Sequence, residues 1–195
     1  MIIIGLTGPT GSGKSSAATV AKKLGFKVVD CDSLARVAVE KGTDGLSALV
    51  IAFGKDILCS DGTLNRKALA KKAFSSPEKT ELLNKTILPY IAELVKQETV
   101  AENKVLLDAP TLFESGINTM CDATVAVLAN TDIRLKRIMT RDKIEEDAAM
   151  LRINAGKNDD FYFKNADYVI YNNSQIQAFT EEFEKIITAI SGKLN

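Results

Sequence analysis

The most informative absence in this 195-residue chain is histidine, of which it has none. Without an imidazole, Ser-His-Asp and Cys-His catalysis are excluded, as is every metal site that uses histidine ligands. Proton transfer must therefore use carboxylates, lysine, tyrosine, cysteine or water.

Cysteine and net charge are also scarce. The three cysteines, Cys31, Cys59 and Cys121, are widely spaced and form no C-x-x-C pair, which is typical of reduced thiols in a cytoplasmic protein. Lysine and arginine number 25 together, as do aspartate and glutamate. Because this balance offers no bulk charge for nucleic acid or a membrane surface, we expect neither partner. The apolar run at the start is too short for a signal peptide or a membrane span, so we expect a cytoplasmic location.

Short apolar runs alternate with segments of helical period along the chain. This alternation predicts an α/β protein with a parallel sheet. The region between the second and third strands is mostly helical and too long for one crossover, so it predicts an insertion where a second substrate could bind. Its longest helix, at residues 78–102, is expected to be interrupted at Pro89. The predicted strands are residues 2–6, 27–30, 104–109, 123–129 and 167–171.

Residues 8–15 match the phosphate-binding pattern G-x-x-x-x-G-K-[ST] in full, between a predicted strand and a predicted helix. Glycines let backbone N–H groups approach phosphate oxygens, and the helix directs its positive dipole end at them. Lys14 is expected to reach the β- and γ-phosphates, and the Ser15 hydroxyl to hold Mg²⁺. The loop predicts a nucleoside triphosphate site, with ATP as its ligand, that also uses Gly11, Ser12, Gly13 and Ser16.

Two predicted strands end in carboxylates, at the edge where open α/β sheets bind ligands. After the second strand, Asp32 could accept a proton from a substrate hydroxyl, and it could also cap a helix at residues 33–40. Asp108 ends the third strand, where it could hold Mg²⁺ or simply cap the strand. The segment 110–116 that follows could line a pocket or be an ordinary turn.

Three arginines, Arg134, Arg137 and Arg141, share one face of a predicted helix. In a chain without net charge, this stripe is a candidate clamp for polyphosphate. A solvated helix face is the alternative, most of all for Arg134.

These segments together resemble the dephospho-CoA kinase family over nearly the whole chain. The phosphate loop alone would fit many families, whereas the combination of VVD-x-D, LLD-x-P-x-LFESG and R-x-x-x-RD is much narrower. The matching segments are GLTGPTGSGKSS at 5–16, VVDCDSLAR at 28–36, DG-x-LNRKALAKKAF at 61–74, LLDAPTLFESG at 106–116, RIMTRD at 137–142 and AD-x-VI-x-N at 166–172.

The resemblance implies a P-loop kinase fold, in which a five-stranded parallel sheet is flanked by helices. It implies one domain, whose core is residues 1–30, 104–140 and 165–195. A substrate-binding helical insertion would span about 31–103 and a mobile lid about 141–164. The implied reaction transfers the γ-phosphoryl group of ATP to the 3′-hydroxyl of dephospho-CoA, the last step of coenzyme A synthesis.

The resemblance also implies roles for individual residues. Asp32 would position or deprotonate the 3′-hydroxyl, while Lys14, Arg137 and Arg141 would stabilise charge on the transferring phosphoryl group. Either Asn172 or Asn173 would lie near the adenine of ATP. The helices of residues 66–102 would border the dephospho-CoA site, with contacts from Arg36, Leu112, Phe113 and Glu114.

The chain departs from the family pattern at two places. Leu88 precedes Pro89 where the family usually has a histidine, and residues 154–156 replace a segment that usually carries glutamine. Two other functions fit the loop: a different small-molecule kinase, or a nucleotide-dependent switch without kinase activity. A GTPase switch would need an N-K-x-D motif, which the chain lacks. No pattern specifies an oligomer, and a monomer is possible.

Overall fold

The computed structural model describes residues 1–173 and 175–193. Its centre is a five-stranded sheet in the order β2-β3-β1-β4-β5, in which every neighbouring pair is parallel. The predicted α/β class and strand positions are confirmed, with ends that move by one residue. The strands are β1 (Ile2–Thr7), β2 (Lys27–Asp30), β3 (Lys104–Asp108), β4 (Ala123–Leu128) and β5 (Tyr168–Tyr171).

Nine α-helices connect and flank these strands in the described part of the chain. Two short 3₁₀ helices, Lys55–Ile57 and Ile117–Met120, lie in connecting segments. The helices are α1 (Lys14–Lys23), α2 (Cys31–Val37), α3 (Asp44–Phe53), α4 (Arg66–Ala73), α5 (Pro77–Glu98), α6 (Thr131–Asp142), α7 (Glu146–Asn154), α8 (Asp159–Asn165) and α9 (Ile176–Lys193).

Apolar side chains bury both faces of the sheet, which explains why its central strands read as continuous hydrophobic runs. On one face, α1 and α9 pack through residues such as Val20, Phe179 and Phe183. On the other face, α2 and α5 pack through residues such as Leu34 and Ile91. All strand carboxyl ends therefore meet at one edge, which carries the phosphate loop and the carboxylates.

The helical insertion between β2 and β3 contains an apolar cluster of its own, built around residues such as Leu49, Phe53 and Ile57. Helix α5 runs unbroken through Pro89, so the predicted interruption is wrong. Pro89 is exposed, and water can solvate the carbonyl that loses its partner in the preceding turn. Leu88 packs into the apolar cluster under α5, which gives this position a packing role in place of a histidine.

The three cysteines are free, as their spacing predicts: Cys31 is buried, Cys59 exposed and Cys121 half-buried. Within residues 1–173 and 175–193, no helix combines the length and apolar character needed to cross a membrane.

Candidate active site

The phosphate loop joins β1 to α1 in a conformation that only glycine adopts easily. Gly8, Gly11 and Gly13 have φ values of 143°, 79° and 99°. A Cβ at Gly8 would collide with the carbonyl of Val127, and one at Gly13 with the Asn172 side chain. The glycines are therefore required both by the backbone angles and by the close approach of neighbouring segments.

Side chains from distant parts of the chain hold the loop carbonyls. Arg137 Nη1 donates to the Ser12 carbonyl at 3.1 Å, and Asn172 Nδ2 donates to the same oxygen at 2.9 Å. Arg134 Nε donates to the Thr10 carbonyl at 2.9 Å. Because these side chains hydrogen-bond the loop carbonyls, the loop N–H groups remain available for an anion in the cleft.

Lys14 is the central cation of the site. Its Nζ donates to the Gly8 carbonyl at 2.9 Å, so the ammonium is held above the loop. Burial lowers the pKa of Lys14, while the negative charges of Asp108 and Asp32 oppose that shift. A phosphate in the cleft would meet a preorganised ammonium with little ordering cost.

The start of α2 corrects the sequence prediction for its cap. The cap is Asp30, whose carboxylate accepts from Ser33 N at 3.1 Å and from Ser33 Oγ at 2.6 Å. Asp32 lies in the first turn, and among the described residues its carboxylate accepts no hydrogen bond. Desolvation and the charge of Asp30 raise the pKa of Asp32, while Arg36 and Lys14 oppose the rise. Asp32 is thus the carboxylate of this segment that the cap leaves without a hydrogen bond.

Asp108 faces the cleft from the end of β3. Its Oδ1 atom is buried and has no hydrogen-bond partner within the described residues. Desolvation raises the pKa of Asp108, and the neighbouring Lys14 ammonium opposes that rise. A strand-end cap would accept a backbone hydrogen bond, so this orphaned oxygen favours a ligand role.

The three arginines of α6 do not act as one stripe. Arg134 is only 4% exposed and supports the loop from behind, so it belongs neither to a polyphosphate clamp nor to a solvated face. Arg137 and Arg141 do reach the cleft. The helical spacing predicts a shared face, but it cannot predict that the phosphate loop covers one end of it.

The cleft between the loop, α2 and α6 has a volume of about 960 Å³. That is large enough for a nucleotide with part of a second substrate. Of the residues predicted to form the site, those lining the cleft are Gly11, Gly13, Lys14, Ser15, Ser16, Asp32, Arg36, Asp108, Arg137, Arg141 and Asn172.

Five predicted site residues lie away from the cleft surface. The Ser12 side chain is buried, while its carbonyl accepts the hydrogen bonds from Arg137 and Asn172. Leu112 is fully buried, because the loop after β3 folds into the apolar cluster under α5. Phe113 contacts Phe161 edge to face, with ring centroids 6.0 Å apart. Glu114 contributes its carbonyl as an acceptor for Asn84.

Asn173 is the fifth, and its contacts separate it from Asn172. Its Oδ1 accepts from Asn130 N at 2.8 Å, whereas the Asn172 side chain bonds the phosphate loop. Of the two asparagines, the structure therefore places Asn172 in the site.

Several cleft residues were missed by sequence reasoning. Lys136 and Thr140 line it from α6, one position before Arg137 and Arg141. Their spacing of four residues could have identified them as a second row on the same helix face. Ser33 and Ile176 also line the cleft, and no sequence pattern marks either one.

Comparison with known proteins identifies relatives over the full length of the fold. The chain matches the family model described as dephospho-CoA kinase over residues 2–178. A curated dephospho-CoA kinase from Syntrophotalea carbinolica is 41% identical over 182 residues, covering 91% of this chain and 86% of the relative.

Solved structures share the fold of this chain. A crystal structure from Thermus thermophilus is 31% identical with a TM-score of 0.72, and the alignment covers 100% of this chain and 98% of the other. A shikimate kinase from Bacteroides thetaiotaomicron has a TM-score of 0.54 at 17% identity, covering 96% of this chain and 98% of the other. At that identity the likeness shows the kinase fold alone.

Proposed function

The chain belongs to the dephospho-CoA kinase family, and on that premise we propose how its residues divide the work of the reaction. Members of the family phosphorylate dephospho-CoA with ATP in the last step of coenzyme A synthesis, and this chain does the same. One observation supports this division of roles between residues. The same cleft is lined by the phosphate loop and by Asp32, an aspartate that does not cap its helix.

The donor side of the cleft binds ATP. The loop N–H groups and the Lys14 ammonium cradle the β- and γ-phosphates, supported by the positive end of α1. Arg137 lies across the loop and Asn172, so its guanidinium is fixed where charge develops during transfer. The adenine lies beside Asn172, the asparagine that lines the cleft.

The acceptor side holds the ribose of dephospho-CoA against α2. Asp32 accepts the proton of the 3′-hydroxyl, because its neighbour Asp30 already caps the helix. Arg36 lines the cleft one turn further along α2, where its guanidinium suits an anionic group of dephospho-CoA. Loss of the proton makes the ribose oxygen a better nucleophile toward the γ-phosphorus.

The donor set near the loop also fits Mg²⁺. Asp108 supplies a buried carboxylate oxygen without a partner in the described chain, and Ser15 supplies a hydroxyl in the same cleft. No cluster of three or more acidic, cysteine or histidine side chains occurs among the described residues, so most ligands would be phosphate oxygens and water. When bound, the ion would neutralise charge between the β- and γ-phosphates.

The movable part of the lid is α7. Helix α8 is anchored to the sheet through buried Tyr162, whereas α7 contacts mainly α6 through Ala149 and Ile153. Closure of α7 over the cleft would exclude water, so that ATP is not simply hydrolysed. The three free thiols favour a cytoplasmic location.

An acceptor competition tests this function. ADP release is measured with ATP plus dephospho-CoA, with ATP plus AMP, and with ATP alone. We expect release only with dephospho-CoA, and an Asp32→Asn enzyme should lose that release while still binding ATP. Comparable rates with AMP would indicate a nucleoside monophosphate kinase, and acceptor-independent hydrolysis would indicate a switch.

A further inference from the structure

One carboxylate at the end of α6 binds two arginines. Asp142 accepts from Arg141 Nε at 2.7 Å on one oxygen and from Arg141 Nη2 at 3.0 Å on the other. Arg152, which comes from α7, donates to the second oxygen as well. The Asp142 side chain is 18% exposed, whereas the Arg141 and Arg152 side chains are 60% and 51% exposed, so solvent reaches these pairs from the arginine side. A residue of the cleft and a residue of the lid thus share one acceptor.

The position of Asp142 is locally unfavourable. It is the last residue of α6, where the helix dipole disfavours a negative charge. The next residue, Lys143, has φ of 53° and is the one non-glycine residue with positive φ in the described chain. A left-handed residue is a common way for a helix to end, so Lys143 serves as the C-cap of α6, whereas the charge of Asp142 is explained by an interaction beyond the helix.

The pairing fixes which edge of Arg141 faces the cleft. A guanidinium that binds a carboxylate through Nε and Nη2 keeps its Nη1–Nη2 edge available for another oxyanion. Arg141 Nη2 lies 3.5 Å from Thr10 Oγ1, on the phosphate loop. The free edge of Arg141 therefore lies beside the phosphate loop, in the cleft that both line.

We propose that Asp142 is a positioning residue of the kinase reaction, which orients Arg141 toward the transferring phosphoryl group and fastens α7 beside it through Arg152. The inference rests on the role proposed for Arg141. Without Asp142, the Arg141 side chain would sample many rotamers, and two adjacent guanidiniums would repel each other. Charge stabilisation would then be lost mainly in the transition state, where it depends most on geometry.

Turnover in single and double variants tests this inference. Asp142→Asn removes the charge with little change of shape, and Asp132→Asn is the matched control in the exposed first turn of the same helix. We expect Asp142→Asn to lower kcat about tenfold to a hundredfold, with the KM for dephospho-CoA within about twofold. Asp132→Asn should keep wild-type kcat. Thermal melting of each variant establishes that it is folded.

The double variant separates positioning from a merely structural effect. If Asp142 acts through Arg141, adding Asp142→Asn to Arg141→Ala should lower kcat less than about threefold further. Full multiplication of the two losses would overturn the inference, as would wild-type kcat in Asp142→Asn alone. Wild-type kcat in Arg141→Ala would overturn both this inference and the role proposed for Arg141. A normal Asp142→Asn beside an impaired Arg141→Ala would overturn only the role of Asp142.

Discussion

The donor and acceptor sides of the cleft are built in different ways. On the donor side, the loop carbonyls accept hydrogen bonds from Arg134, Arg137 and Asn172. These residues are separated from the loop by 124 to 160 positions in the sequence. On the acceptor side, the functional groups come from one short helix, secured by the Asp30 cap. The donor side is therefore backbone geometry fixed by the whole fold, whereas the acceptor side is a set of local side chains.

This difference predicts distinct consequences of mutation. Changes that touch the donor loop should affect ATP binding and stability together, because the same contacts serve both. Changes on the acceptor side should alter turnover and its pH dependence with little effect on folding. Lys14 and Asp32 provide the strongest contrast, since both line the cleft and the charge of Asp32 acts on Lys14.

The largest effect is expected for Lys14→Ala. Removal of the ammonium above the loop should lower kcat about a thousandfold, because charge on the moving phosphoryl group loses its main protein partner. Lys23→Ala, at the exposed end of the same helix, is the matched control and should behave like wild type. Steady-state kinetics with saturating ATP measures both, and a wild-type rate in Lys14→Ala would exclude this role.

Asp32→Asn should give the next largest effect, and it tests whether the acceptor side works independently of the donor side. We expect kcat to fall at least about a hundredfold, the usual scale for loss of a general base. The Kd for ATP, measured by calorimetry, should stay within about threefold of wild type. The melting temperature should be the same as that of wild type. Near-normal turnover would remove Asp32 from proton transfer, and weakened ATP binding would contradict the separation of the two sides.

The same difference explains which parts could be predicted from the sequence. The loop glycines and Lys14 belong to one contiguous motif that adopts a single loop conformation, so their positions in the site can be predicted. The strands are apolar runs of ordinary length, and they were found to within one residue. Arg134 and Leu112 were misplaced because their burial depends on which distant segment covers them.

Capping was harder to predict than the loop. Asp30 and Asp32 both precede helical residues, and local propensity cannot choose between them. The choice depends on where β2 stops, which is set by its pairing with β3 through residue Asp30. Asp142 was missed as a functional residue although it stands in the RIMTRD segment, because its partner Arg152 comes from another helix.

Asn172→Ala sharpens the comparison on the donor side. The variant loses the hydrogen bond to the Ser12 carbonyl and the one that Asn172 Oδ1 accepts from Arg137. We expect the KM for ATP to rise about tenfold and the fold to lose about 1–3 kcal/mol, because buried polar groups lose their partners. Asn173→Ala is the matched control, since its amide bonds Asn130 outside the cleft. Equal effects of the two variants would contradict the placement of ATP beside Asn172.

The smallest effect is expected for Asp30→Asn, which acts on the acceptor side mainly through charge, since the amide oxygen can still accept from Ser33 N. Asparagine caps a helix about as well as aspartate, so α2 should stay intact. The Ser33 hydroxyl lowers the pKa of Asp30, which is therefore ionised at neutral pH and raises the pKa of Asp32. Neutralising Asp30 should lower the pKa of Asp32 again. Since Asp32 must be deprotonated to accept the hydroxyl proton, the acidic limb of the kcat/KM profile should move to lower pH.

The measurement is a pH–rate profile for wild type, Asp30→Asn and Asp132→Asn. The substrates titrate identically in all three, so a displacement confined to Asp30→Asn reports on the enzyme. Because the base becomes slightly weaker as its pKa falls, the plateau rate should decrease by less than about threefold. A limb that stays in place, or one that moves to higher pH, would mean that the titrating group is not Asp32.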